Sequence, residues 1–192
     1  MLEKFFVSKV RIKLLKLFLS NPKKSYHVRG ITRLLDEEIN AVRRELGRME
    51  KVKFVTSTRK GNRLLYSVRR DFPYYDEFLS LVNKAFGLGS LITSNSEKIG
   101  QIEYAWLTKF YTKNQNKGDQ DVDLVIIGDN LDYEKLASII KKAEAETEKQ
   151  VNYTVMGSGE FDLRKKRNDS FLANLLNSSK VMLIGDEDEL LD

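Results

Sequence analysis

Apolar side chains recur at helical spacing over residues 4–19, where Phe5, Val10, Leu14, Leu17 and Phe18 are set among lysines and arginines. Ser20-Asn21-Pro22 should stop that helix, because proline lacks the amide that would continue the ladder. A second helix is expected from His27 to Leu35, with Val28, Ile31, Leu34 and Leu35 on one face. Asp36 reads as the N-cap of a third helix, with Glu37 and Glu38 suiting the positive end of its dipole. In that helix Ile39, Val42, Leu46 and Met49 should face inward, leaving Asn40, Arg43, Arg44, Gly47 and Arg48 outward. Two strand-like runs follow, Val52 to Thr56 and Arg63 to Val68, joined by Ser57 to Asn62. Gly61 and Asn62 tolerate positive φ, so the pattern predicts a hairpin with a basic tip.

Beyond Phe72-Pro73 a helix over Tyr74–Phe86 places Phe72, Tyr75, Leu79, Val82 and Phe86 in a stripe. Such a stripe can pair with a second copy of itself or pack within the chain. Gly87-Leu88-Gly89-Ser90 should break the helix and mark a domain boundary, with a short helix from Leu91 to Ile99 after it. The later pattern alternates. Strands are expected at Ile102–Leu107, Asp123–Ile127, Val151–Val155 and Val181–Ile184, with helices over Leu131–Glu148 and Phe161–Leu176. Alternating strands and helices predict an α/β domain.

Charge changes this picture. The net charge of +5 divides into +11 over residues 1–87 and −6 over residues 88–192. A basic half joined to an acidic half suits a two-domain chain with one polyanion-binding domain. There is no cysteine and one histidine, His27, which excludes disulfides, thiolate catalysis and cysteine-based metal sites. No apolar run reaches the roughly 18 residues of a membrane span, and the charge-punctuated N-terminus is unlike a signal peptide. A cytoplasmic protein with no membrane partner is expected.

The stretches VRIKLLKLFLSNP, YHVRGITRLLDEEINAVRRELGRME and KVKFVTSTRKGNRLLYSV resemble the winged helix-turn-helix regulators of the arsenic-repressor kind. The resemblance covers residues 1–72 and implies an α+β DNA-binding domain whose third helix enters the major groove. Asn pairs adenine and Arg pairs guanine bidentately, so it makes Asn40, Arg43 and Arg44 candidate base readers. It makes Arg48, Arg59, Lys60, Asn62 and Arg63 candidate phosphate contacts. Double-stranded DNA is the implied partner, and the stripe over Phe72–Phe86 adds the expectation of a homodimer, with the linking helices of residues 73–99 as its candidate interface.

Residues 100–192 carry a second resemblance. IEYAWLTKFYTKNQNKGDQDVDLVII is similar to the core of the minimal nucleotidyltransferases of the polymerase-β superfamily, and VNYTVMGSGEFDLRKKRNDSFLANLLNSSKVMLIGD to its tail. It implies a small mixed sheet with flanking helices. In the active family a Gly-Ser turn opens a helix whose amides hold phosphates. An Asp-x-Asp pair then binds Mg²⁺, and a third carboxylate completes a two-metal site. Asp121-Val122-Asp123 matches the pair. The Gly-Ser positions fall instead on Lys109 and Phe110, or one residue earlier on Thr108 and Lys109. The third carboxylate's place is taken by neutral Asn152 or Thr154. The resemblance therefore implies lost catalysis, no required cofactor, and at most weak Mg²⁺ binding at vestigial Asp121 and Asp123.

The expectation is a DNA-binding transcriptional regulator with an inactive nucleotidyltransferase-like domain. Two other classes stand beside it: an active nucleotidyltransferase using Mg²⁺ at Asp121 and Asp123, and an antitoxin-like module for a protein partner. Gly157-Ser158-Gly159 reads as a plain loop, Arg164–Arg167 as a solvated basic face, Trp106 as core, and His27 as a phosphate contact or helix cap.

Overall fold

A computed structural model describes residues 7–112, 121–147 and 149–192. The protein is mixed α/β with two sheets, and its chain divides into two compact units between Val82 and Asn83. The expected helix start at residues 4–6, with Phe5, lies outside the described residues, as do residues 113–120 and 148.

In the first unit α1 (Lys9–Ser20) is capped by Ser8, whose hydroxyl accepts from the Arg11 amide at 3.2 Å. It buries Ile12, Leu14, Leu15, Phe18 and Leu19. A short strand, β1 (Tyr26–His27), precedes α2 (Val28–Leu35), and α3 (Ile39–Lys51) follows. Strands β2 (Val55–Lys60) and β3 (Arg63–Val68) complete an antiparallel sheet of order β1-β3-β2. Sequence alone shows nothing of β1, because two residues give no periodicity. It exists through its pairing of Tyr26 with Tyr66 and of His27 with Leu65.

Several local expectations need correcting. Asp36 does not cap α3. It ends α2 in the left-handed conformation at φ 50°, a role that Asp tolerates better than most residues. Glu38 caps α3 instead, its carboxylate accepting from the Ala41 amide at 2.8 Å. Ile31 is fully buried on α2, whereas Leu34 is exposed. The first strand lies later than expected, at Val55–Lys60, while the second spans Arg63–Val68 as expected, so the turn is only Gly61-Asn62. Gly61 takes φ +59°, the positive φ that a two-residue hairpin demands at its first central position.

The stripe on α4 (Tyr75–Ala85) is covered within the chain: Tyr75, Leu79 and Val82 are buried. Phe54 packs edge-on against Phe72 and Phe78, which are tilted to each other, with centroids 5.4 to 6.1 Å apart. Phe72 and Phe86, at the two ends of the stripe, stay half-buried. The helix breaks ahead of the glycines at 87–90 as expected, since α4 ends at Ala85, and the two units divide slightly earlier, after Val82. Gly87, at φ +58°, turns the chain directly into α5 (Gly87–Ser94), and α6 (Ser96–Ile99) follows. Leu88, Ile92 and Ile99 are fully buried in the second unit's core, so the segment after the break packs as core and is not an exposed linker.

The second unit has strands β4 (Gln101–Thr108), β5 (Leu124–Asp129), β6 (Tyr153–Met156) and β7 (Lys180–Ile184) in the order β6-β5-β4-β7. β5 and β6 are parallel, and β4 is antiparallel to both β5 and β7. α7 (Lys109–Thr112) follows β4, and α8 (Tyr133–Thr147) links β5 to β6. β5 is apolar and buried from Leu124 to Ile127, as a strand covered on both faces must be. One face packs on Leu136, Ile140 and Ala143 of α8. The other packs on Trp106, Phe161, Leu172 and Leu175, so Trp106 is core as expected.

The segment 161–176 is largely helical as expected, and its helix is divided in two. α9 (Ser158–Lys166) and α10 (Ser170–Asn177) are separated by Asn168 in the left-handed conformation and by Asp169, the N-cap of α10. Ser158 and Gly159 open α9 and are not loop. α11 (Glu187–Leu191), capped by Asp186, closes the chain. No described helix is long and apolar enough to cross a membrane.

Candidate nucleic-acid interface

α3 buries Val42, Leu46 and Met49 on the sheet side, which turns the opposite face to solvent. Asn40, Arg43, Arg44, Gly47 and Arg48 are all exposed there, and Lys51 extends the same face by one turn. On the hairpin Arg59, Lys60, Asn62 and Arg63 are exposed as well. All eight residues expected to meet DNA therefore lie at the surface of one compact unit.

Their partners differ. Glu45 is buried on α3, where its carboxylate accepts from Arg11 Nε and from an Arg48 terminal nitrogen, each at 2.7 Å. Burial pushes that carboxyl up, but Arg11 and Arg48 outweigh it and hold it below the ordinary range. Arg48 is thus tied at one edge to its own helix. Among the described residues no ion pair or hydrogen bond holds the side chains of Arg43, Arg44, Arg59, Lys60 or Arg63. Arg43 lies near enough to Tyr66 to offset part of the rise that burial gives that phenol. Glu38 is held low, first by the Asn40 and Ala41 amides it caps and then by Arg44 and Arg43.

The hairpin register makes Lys60 and Arg63 direct cross-strand partners, with Arg59 opposite Leu64. Like charges facing each other oppose strand pairing. His27 stands at the N-cap position of α2 but gives it no side-chain cap. Its ring covers Gly30 so closely that a Cβ there would fall 2.8 Å from it. The sequence reading missed Glu45 and Arg11. The available signal was a carboxylate at position 45, between Val42 and Met49 on the buried stripe.

In the second unit the residues at the Gly-Ser positions do follow a strand and open a helix, since Lys109 begins α7. The turn is closed from within. The Thr108 hydroxyl donates to the Val122 carbonyl at 2.5 Å and accepts from the Phe110 amide at 3.3 Å. The Lys109 ammonium lies 5.3 Å from the centre of the Phe110 ring, and both line a cleft of about 570 Å³ with Thr108, Asp121, Phe171 and Asn174.

Asp121 and Asp123 are not presented alike. Asp121 lines that cleft, while Asp123 is fully buried and its Oδ2 accepts from the Asn152 amide at 2.9 Å. The parallel register continues this pairing, with Leu124 beside Tyr153. Asn152 therefore neighbours Asp123, where a third carboxylate would be needed. Among the described residues this region offers a cation one cleft carboxylate, one buried carboxylate that accepts from an amide, and a neutral neighbour. Among the described residues no three His, Asp or Glu side chains gather around one point.

No protein-family model matches this chain, and comparison with curated proteins and with solved structures gives no match either.

Proposed function

We propose that the protein is a DNA-binding transcriptional regulator: a winged helix-turn-helix unit followed by a nucleotidyltransferase-like unit that has lost catalysis. The element order α1-β1-α2-α3-β2-β3, with a three-stranded antiparallel sheet, is that of a winged helix and supports the reading. α3 is then the major-groove helix, with Asn40, Arg43 and Arg44 reading base edges. The hairpin is the wing, with Arg59, Lys60, Asn62 and Arg63 along the phosphates.

One observation carries the proposal. Lys60 and Arg63 oppose each other at the wing tip beside Arg59, and no carboxylate among the described residues neutralises them. A cation cluster kept against its own repulsion is stabilised by an external polyanion. Asp123's engagement with Asn152 and the self-closed Thr108 turn support the loss of transfer chemistry, because both remove parts that would position a triphosphate.

The experiment is selection of bound genomic fragments at two salt concentrations. The expected result is an enriched common sequence. Affinity should fall by orders of magnitude between about 50 and 200 mM salt, as counterion release requires. Binding indifferent to salt, or no enrichment, refutes the proposal.

A further inference from the structure

We propose that the first unit carries a binding site for a small amphiphilic carboxylate, and that its occupancy weakens DNA binding through Arg48. The site is a cavity of about 290 Å³ lined by Leu15, Met49, Val52, Phe54, Phe72 and Phe78. That volume lies at the small end of ligand sites and holds about ten heavy atoms, taking the ~30 Å³ that a water molecule occupies in the liquid. The aromatic rings of Phe54, Phe72 and Phe78 give it rigid walls. It stays open at Val52, which is 61% exposed at the end of α3.

The charge at its rim selects the ligand. Arg11 and Arg48 both border the cavity, and both bind the buried carboxylate of Glu45. Two guanidiniums against one carboxylate leave one positive charge over an apolar pocket. Each guanidinium carries five donors, and Glu45 occupies one on each. A carboxylate at the rim completes this array, while an alkyl or aryl body displaces water from the phenylalanines. A cation there meets repulsion, and a neutral alcohol gains only the apolar part.

The link to DNA rests on the function proposed above. Arg48 sits on α3 and is 63% exposed, so the guanidinium offered to a phosphate is the one a ligand would engage. Neutralising and turning it removes one phosphate contact.

The test uses octanoate, with 1-octanol as the neutral probe, in calorimetric titration of the full chain. Octanoate should bind saturably and at least about tenfold tighter than octanol, the ratio expected for one charge-assisted contact. Arg48→Met, which keeps the apolar stem, and Val52→Glu, which sets a like charge at the mouth, should each erase that ratio. Both positions are exposed, and unfolding curves check that each variant folds. The ratio of DNA affinities without and with saturating octanoate should be about fivefold or more for the unmodified chain, and near one for Val52→Glu. No saturable binding, or octanol equal to octanoate, overturns the site. Self-association that Val52→Glu abolishes overturns it in favour of a second copy as occupant. Octanoate binding with unchanged DNA affinity overturns the link to Arg48 alone, and does so without bearing on whether the chain binds DNA.

Discussion

Lys60 and Arg63 face each other as a cross-strand pair at the tip of the hairpin, joined by nothing more than Gly61 and Asn62. Two cations in direct register destabilise the turn they flank. The chain retains them at the point where the two strands project furthest from their sheet.

This arrangement predicts a trade between stability and binding. Lys60→Glu converts a like pair into an opposite pair and should raise stability by roughly 0.2–1 kcal/mol. The same change should weaken binding to every DNA sequence and lower the salt slope by about one or more. Urea unfolding and salt-dependent DNA titration read the two effects. A gain in DNA affinity would remove the hairpin from the interface.

Base reading is separable from phosphate binding. Arg43→Ala or Arg44→Ala should cost roughly 1–3 kcal/mol at a specific site and relax preference at one base pair. Competition with single-base variants of the selected sequence measures this. Equal loss on specific and random DNA would reassign both residues to the phosphates.

Gly47 occupies the exposed face of α3, and a Cβ added there would meet no atom within 4 Å. Glycine in a helix interior costs about 0.8–1 kcal/mol relative to alanine. Gly47→Ala should therefore stabilise the first unit by about that amount. It should also weaken DNA binding, because the added methyl enlarges the face proposed to enter the groove. A stabilised variant with unchanged affinity would place the helix further from DNA than proposed.

Glu45 is a buried charged residue of the first unit. Its carboxyl is held low, so the stability it contributes is complete above its unfolded value of about 4.3 and is lost as pH falls through its lower folded value. Glu45→Gln should cost roughly 1–3 kcal/mol near neutral pH, by weakening two charged hydrogen bonds. The difference from the unmodified chain should shrink as pH falls below about 4. Urea unfolding at several pH values checks the sign.

In the second unit Asp123→Ala strips the Asn152 amide of its acceptor and should destabilise by roughly 1–3 kcal/mol. Asp121→Asn together with Asp123→Asn should leave DNA binding unchanged. No transfer from any nucleoside triphosphate with Mg²⁺ or Mn²⁺ is expected of the unmodified chain. Labelled-nucleotide transfer that the double variant abolishes would return the protein to the enzymes.

Much of the helical pattern was legible because the 3.6-residue period is local. The apolar set Val42, Leu46 and Met49 on α3 was readable from spacing alone, and with it the outward basic face. Glu45 was not readable, since its place in the interior depends on Arg11, 34 residues away on another helix. The cap of α3 went to Glu38 and not to Asp36 because the chain needed a left-handed residue to leave α2, a demand set by how two helices meet.

The sequence by itself determined the alternation of elements, the division of charge and the residue types at the α3 face and the wing, since each rests on neighbours within a few positions. Only the tertiary structure decided what those residues touch. It covered the α4 stripe within the chain, put Leu88 and Ile92 into a core where glycines suggested a linker, and paired Lys60 with Arg63. It also gave Asp121 to a cleft and Asp123 to the Asn152 amide, although the two stand in one short motif. The physical reason is the same in each case. Periodicity fixes which face a side chain takes, but burial and hydrogen-bond partners come from segments that are distant along the chain.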